Sequence, residues 1–346
     1  MTSFSFDFSD IHLPGLSFRP PVLLAPMEGI TDPSFRRLIL DGSESGAIGG
    51  ACTEFLRVTQ QPLKTEVLHR ALGRRPQSQV PVGVQLMGND PWAMAETARR
   101  AADTEAAFVD LNFGCPAPRV FQHGAGSALL DRPSDLARLV EAIVTASPLP
   151  VTVKIRSGVN DDRLLETVLA GIEAAGACLV TVHARLKIES YQMPAKWRRL
   201  ARAVAATNLP IIGNGGLERP EDLEAMGRAT GVAGFMIGRA ALRNPWIFDQ
   251  SLAYRQNRSQ PQPDLADHAR WLARYASAME NSGASPRQAL GRLKQAARYQ
   301  SAQGLAELAD RLPTAMRCQD RDDFFRTLGL WEAVPSGEGE GRDSPH

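Results

Sequence analysis

The chain has 346 residues, 43% of them hydrophobic, and its 39 basic and 38 acidic residues leave a net charge of +1. That length exceeds one ordinary domain but suits a barrel of about 250 residues with a small appendage, and the apolar content supplies a sizeable core. Cys52, Cys115, Cys178 and Cys318 include no C-x-x-C pair, which argues against a disulfide framework and a zinc site. No apolar run reaches the roughly 18 residues that span a bilayer, and the first residues lack the basic start of a secretory leader. A cytoplasmic protein is expected, with no membrane and no metal among its partners.

In chain order, residues 1–20 form an extension poor in periodic apolar residues, to which no role is assigned. Eight short apolar runs follow, mostly β-branched, at 22–25, 47–53, 82–86, 107–111, 151–155, 179–183, 210–213 and 234–237. Stretches with helical spacing lie between most of them, at 91–102, 135–146, 162–175, 196–206 and 220–229. Strands alternating with helices predict an α/β fold, a (β/α)₈ TIM barrel over residues 21–255. An open doubly wound sheet would satisfy the same periodicity. Residues 256–263 read as a polar linker, 264–331 as a small C-terminal helical domain and 335–346 as a disordered tail.

Barrel chemistry collects where strands end. Here those ends carry Pro26, Met27 and Glu28; Glu54 and Arg57; Gln85; Asn112 and Cys115; Lys154 and Arg156; His183 and Arg185; Asn214, Gly215 and Gly216; and Gly238 and Arg239. Cys115 follows an apolar run on a turn shaped by Gly114 and Pro116. Each residue alone has a plain reading: a buried thiol, an ordinary charged strand end, a hydrogen-bonded histidine, a strand-to-helix turn. Together they decorate one rim. The glycine loops after the last two strands, with Arg239 beside them, suit a phosphate, because backbone N–H groups approach closely where no Cβ intervenes. Lys154 and His183 would then face the body of the ligand, and a lysine there can stabilise charge that develops on reduction. A phosphorylated redox cofactor such as FMN fits this arrangement.

The overall charge hides a local excess. Between His268 and Gln300 stand Arg270, Arg274, Arg287, Arg292, Lys294 and Arg298 against the single acid Glu280, a local charge of about +5 that suits contact with nucleic acid.

The stretches Ala25-Pro26-Met27-Glu28-Gly29, Val84-Gln85-Leu86, Asp110-Leu111-Asn112-Phe113-Gly114-Cys115-Pro116, Gly126-Ser127-Ala128-Leu129-Leu130, Val153-Lys154-Ile155-Arg156, His183-Ala184-Arg185, Gly213-Asn214-Gly215-Gly216 and Met236-Ile237-Gly238-Arg239 resemble those of bacterial tRNA-dihydrouridine synthases, a flavin-dependent family. Thr53-Glu54-Phe55-Leu56-Arg57-Val58 further resembles the C-type branch, which acts on uridine 16 of the D-loop. The resemblance implies FMN, with Pro26, Met27 and Glu28 lining its ring, Gln85, Lys154 and His183 contacting it, and Asn214, Gly215, Gly216, Gly238 and Arg239 on its phosphate. It implies NADPH as reductant, hydride transfer to C6 of a flipped-out uracil, and Cys115 as proton donor to C5. Asn112, Arg57 and Arg156 would contact the tRNA substrate, with Arg292 and Lys294 on the basic helix. The segment 120–126 would act as a lid that positions the thiol, and the protein would be a monomer.

Four positions depart from the family pattern. Pro118 and Phe121 replace the usual lysine and asparagine after the Cys-Pro pair, Leu186 replaces a threonine, and Gln192 follows Tyr191 where C-type members tend to have arginine. Rival readings are an FMN-dependent reductase of free pyrimidines or other small molecules, a non-catalytic flavin-containing RNA-binding protein, and a Schiff-base aldolase using Lys154.

Overall fold

Phe18, wholly removed from solvent, shows what the first residues do. In the computed structural model, which describes residues 8–301 and 309–331, β1 (Ile11–Leu13) and β2 (Leu16–Phe18) form an antiparallel hairpin. Its turn uses Gly15 at φ +74°, a conformation that costs a glycine little. The Phe18 ring meets Phe108 edge to face, with centroids 5.5 Å apart. Ile11, Leu16 and Phe18 share one buried cluster with Leu23, Cys52, Leu179 and Ile212. A Cβ on Gly50 would stand 2.7 Å from the Phe18 ring, so the absence of a side chain there makes room for it. The hairpin therefore stoppers the end of the barrel where strands begin, a role the sequence reading did not assign to it.

The barrel strands are β3 (Val22–Leu24), β4 (Gly50–Cys52), β6 (Val82–Met87), β7 (Val109–Phe113), β8 (Val151–Arg156), β9 (Leu179–His183), β10 (Ile211–Asn214) and β11 (Gly234–Ile237). Each pairs in parallel with its neighbours, and the β4–β6 and β11–β3 pairings close the ring. Closure excludes the open sheet. A two-residue strand, β5 (Leu56–Arg57), adds to β6 after β4.

Helices α1 (Pro33–Gly42), α2 (Thr65–Leu72), α3 (Pro91–Ala101), α4 (Pro118–Gln122), α5 (Pro133–Ala146), α6 (Leu165–Ala174), α7 (Arg198–Ala205), α8 (Glu221–Thr230), α9 (Arg239–Arg243) and α10 (Ile247–Arg255) connect or follow the strands. Local chemistry starts them: Asp90 accepts from the Ala93 N–H at 2.8 Å, with Pro91 in the first turn of α3.

Two compact units result, one running to Ala241 and taking in Pro245–Pro261, the other made of Leu242–Asn244 and the chain from Gln262 onward. The second contains α11 (Leu265–Asn281), α12 (Pro286–Gln300), α13 (Leu312–Ala315) and α14 (Arg321–Leu328). Reciprocal capping boxes, Asp264 with Asp267 and Ser285 with Gln288, begin its two long helices. The tail expected at 335–346 lies outside the described residues. Among the described residues no helix is long and apolar enough to cross a membrane, and no cluster of His, Cys, Asp and Glu is arranged to hold a metal.

Candidate active site

Strand periodicity of two turns one face of each strand into the barrel, and the register decides which inward side chains meet. Gln85 lies opposite Asp110, Asp110 opposite Thr152, Asn112 opposite Lys154, and Arg156 opposite His183. Residues from four adjacent strands, β6 to β9, thus become neighbours at one end of the barrel.

Asn112 shapes the turn that carries the thiol. Its Oδ1 accepts from the backbone N–H groups of Gly114 and Cys115, at 2.9 and 3.0 Å. The Ser127 hydroxyl donates to the Cys115 carbonyl at 2.8 Å. The side chain of Cys115, only 7% exposed, packs with Met87, Val120 and Ala125. Burial pushes the Cys115 thiol pKa above the usual thiol range, the Ala117 N–H opposes this, the charge of Glu28 adds to it, and Arg156 and Lys154 offset part. The sulfur therefore keeps its proton at neutral pH.

Several expected ligand contacts are already committed to the scaffold. Gln85, fully buried, donates from Nε2 to Asp110 at 2.6 Å and accepts from Asn112 Nδ2 at 2.8 Å. Arg156 donates to the Gly114 carbonyl at 2.9 Å, the Leu186 carbonyl at 2.8 Å and the Tyr191 hydroxyl at 2.8 Å. Three of its five N–H groups are spent on joining the Cys115 turn to the loop after β9. Asn214 donates to the Met236 carbonyl at 2.7 Å, tying β10 to β11.

Paired through its backbone with β7 and β9, Lys154 makes no side-chain hydrogen bond or ion pair among the described residues. Burial, with the Arg156 charge, lowers its ammonium to about 8, against the pull of Asp110, Cys52 and Cys115. Burial raises Asp110 to about 6, against hydrogen bonds from Gln85 and Thr152 and the charge of Lys154. Burial also drives His183 well below the usual histidine range, and Lys154, Arg156, Arg185 and Arg239 push it the same way. Its Nδ1 accepts from the Arg185 N–H at 3.3 Å, which assigns the remaining proton of a neutral ring to Nε2.

Gly215 and Gly216 adopt φ +103° and +80° after β10. Trp197 Nε1 holds their loop by donating to the Gly215 carbonyl at 2.9 Å. A Cβ on Gly215 would come within 3.3 Å of His183 Nε2 and 3.5 Å of Arg185 Nη1. Arg185 spends Nε and Nη2 on the Met193 carbonyl, while its buried Nη1 has no hydrogen-bond partner among the described residues. A buried guanidinium nitrogen left over beside a bare glycine backbone is what an anionic oxygen would satisfy. Around Gly238 the neighbours, Ala25 Cβ and Met27 Sδ, stand at 3.6 and 3.8 Å, so Met27 borders the same space. Pro26 is half-buried and Glu28 exposed.

Sequence reasoning missed the importance of Tyr191. Its ring lies under the guanidinium of Arg239 at 4.6 Å and of Arg156 at 5.3 Å, and edge-on to His183 at 6.0 Å. The substituted positions also find physical roles: Pro118 occupies the first turn of α4, Lys187 Nζ sits 4.0 Å from the Phe121 ring, and Leu186 is buried. Within the segment 120–126, Val120 and Ala125 pack on the thiol. Arg132 donates to the Gly124 carbonyl at 3.0 Å and Asn89 to the His123 carbonyl at 2.8 Å. Arg57 is exposed on β5. In the helical unit, Lys294 donates to the Cys318 carbonyl at 2.5 Å and Arg292 to Gln295 at 3.3 Å. Arg270, Arg274, Arg287 and Arg298 are the exposed cations of that stretch.

Comparison with known proteins agrees with this geometry. The dihydrouridine synthase (Dus) family matches residues 23–324, which takes in the barrel strands and the helical unit. The chain belongs to the dihydrouridine synthase family. A tRNA-dihydrouridine(16) synthase of Pseudomonas putida is 36% identical over 285 residues, covering 79% of this chain and 86% of its own. One of Cupriavidus necator is 37% identical over 233 residues, covering 65% and 71%. A tRNA-dihydrouridine synthase B of Xanthomonas campestris is 37% identical over 250 residues, covering 71% and 74%. Within a dihydrouridine synthase, the protonated Cys115 thiol, the ammonium of Lys154 and the glycine loops of β10 and β11 all belong to one barrel end.

Proposed function

We propose that the protein reduces the C5–C6 double bond of a D-loop uridine in tRNA, uridine 16 first among the candidates, with FMN as cofactor and NADPH as reductant. The observation that carries this reading is the buried Cys115, held by Asn112 on a turn beside Lys154. The unpartnered Arg185 Nη1 and the bare backbone of Gly215 and Gly216 fit the cofactor phosphate, with Gly238 and Arg239 beside them. FMN held there would, once reduced by NADPH, supply a hydride for C6.

The chain's own groups do the rest. Cys115 delivers its proton to C5, which requires the thiol form that burial maintains. Lys154 offers positive charge to the ring system, and neutral His183 offers an N–H from Nε2. Pro26, Met27 and Glu28 border the ring, and the second N–H of Gln85 is free to reach it. Asn112 keeps one amide N–H for the uracil, while Arg57 and the uncommitted N–H groups of Arg156 serve the nucleotide. The base must leave its stack to arrive there. Exposed arginines of the helical unit, with Arg292, grip phosphates without reading sequence.

The test uses purified protein and unmodified tRNA. The expected result is a yellow, NADPH-reducible protein that forms dihydrouridine at one D-loop position, mapped by nucleoside mass spectrometry. Reduction of free uridine with indifference to tRNA would replace this reading with the small-molecule reductase.

A further inference from the structure

Asp110 lies inside the barrel, one pleat below Asn112, and is 2% exposed. Its Oδ1 accepts from the Thr152 hydroxyl at 2.6 Å and its Oδ2 from Gln85 Nε2 at 2.6 Å. Gln85 Oε1 then accepts from Asn112 Nδ2 at 2.8 Å, and Asn112 Oδ1 accepts from the Gly114 and Cys115 N–H groups. The result is an unbroken row of hydrogen bonds from β8 through β7 and β6 back to the thiol-bearing turn.

The two ends of this row fix its polarity. Backbone N–H groups can only donate, and an ionised carboxylate can only accept. Between them the two amides have one arrangement in which every partner is satisfied: nitrogens toward Asp110, oxygens toward the turn. Reversing either amide would face oxygen with oxygen in a buried place, at the cost of an unsatisfied polar group.

We propose that Asp110 is a positioning residue, which through Gln85 and Asn112 sets the direction in which the site presents its amides and holds the backbone of Cys115 in place. Resting on the functional reading above, this has a consequence for the base. Asn112, its oxygen already doubly engaged, presents only an N–H, which matches a carbonyl oxygen and opposes an amino group. The donor-only amide therefore favours the carbonyl-bearing edge of uracil over the amino-bearing edge of cytosine.

The experiment compares Asp110→Leu with Asp110→Asn in the full-length, flavin-loaded protein. Leucine removes the terminal acceptor. Asparagine keeps an oxygen for Gln85 and turns its amide toward the Thr152 hydroxyl, which can accept. Two readouts are taken: the rate at which iodoacetamide labels Cys115, resolved by peptide mass, and kcat with KM for tRNA. For Asp110→Leu, labelling rises and kcat falls by about tenfold, the scale of one lost hydrogen bond, with KM for tRNA unchanged. For Asp110→Asn both stay within about twofold of the parent, a difference below the effect of one lost hydrogen bond. Should Asp110→Leu fail to fold, Gln85→Met, of similar shape and without polar atoms, interrupts the same row and shows the same rise in labelling. Unchanged labelling in the folded interrupting variant, or an asparagine variant that behaves like leucine, overturns the proposal. A parent protein that forms no dihydrouridine in tRNA defeats the functional reading instead, while the labelling comparison still decides the role of Asp110.

Discussion

Arg199 Nη1 lies 2.6 Å from Oε2 of Glu189, which stands two residues before Tyr191 in the same loop, and the two side chains are 3% and 7% exposed. Burial would raise the Glu189 carboxyl, but hydrogen bonds from Arg199, the Leu186 N–H and Lys196, with the Arg199 charge, bring it down to about 2. A carboxyl lowered in the folded state adds stability that is present above its unfolded value near 4.5 and lost as pH falls toward 2. About 3 kcal/mol should disappear between roughly pH 5 and pH 2. Glu189→Gln should cost about 3–5 kcal/mol at pH 7 and flatten this acid limb, measured by urea unfolding across the range. Parallel pH curves for parent and variant would reject the assignment.

Removing the acid should separate chemistry from binding. Cys115→Ala is expected to keep its flavin and its affinity for tRNA while dihydrouridine formation drops by about 10²–10⁴-fold. Single-turnover oxidation of the reduced protein by tRNA is the direct measurement. Equal rates would remove Cys115 from the proton transfer.

Lys154 should set an alkaline limit on turnover. Its ammonium, lowered to about 8 by burial and by Arg156, loses charge as pH rises through that value. Turnover should decline above pH 8, and Lys154→Arg, which stays charged, should carry the decline to higher pH. A kcat profile from pH 6.5 to 9.5, roughly centred on that value, tests this, with flavin content checked at each point.

Two groups of cations in the helical unit should behave differently. Arg287 and Arg298 are exposed, whereas Lys294 is tied to the Cys318 carbonyl. Replacing both arginines by Ala should lower the salt slope of tRNA binding by nearly two, at about 0.9 per lost phosphate contact. Lys294→Ala should act first on the melting of the helical unit. A salt slope that responds to Lys294 alone would reverse these assignments.

The hairpin stopper predicts a stability effect far from the thiol. Phe18→Ala leaves a void against Phe108 and Gly50, and should cost about 3–5 kcal/mol. Thermal melting with flavin content followed in parallel checks it; an unchanged melting temperature would mean that the hairpin contributes no closure.

The strands were legible because those such as 151–155 and 179–183 are buried on both sides, which makes them continuous apolar runs. Ring closure was not, since the β11–β3 pairing joins residues more than two hundred positions apart. The rim was legible by residue type, and the commitments within it were not. Nothing in the letters at positions 85, 112 and 156 tells that these groups bind one another or the backbone before any ligand. The hairpin escaped notice because its strands are three residues long, too short for alternation to stand out. The Pro14-Gly15 pair between Leu13 and Leu16 was the available signal. Tyr191 was passed over because an exposed tyrosine in a loop looks ordinary until three guanidiniums gather on its ring.

Because the hairpin seals the base of the barrel and the thiol lies at the opposite rim, the described chain starts at the end of the barrel away from Cys115. Phe8 itself packs edge to face on Phe235 of β11, with ring centroids 5.1 Å apart, so the described chain begins anchored to the strand that closes the ring.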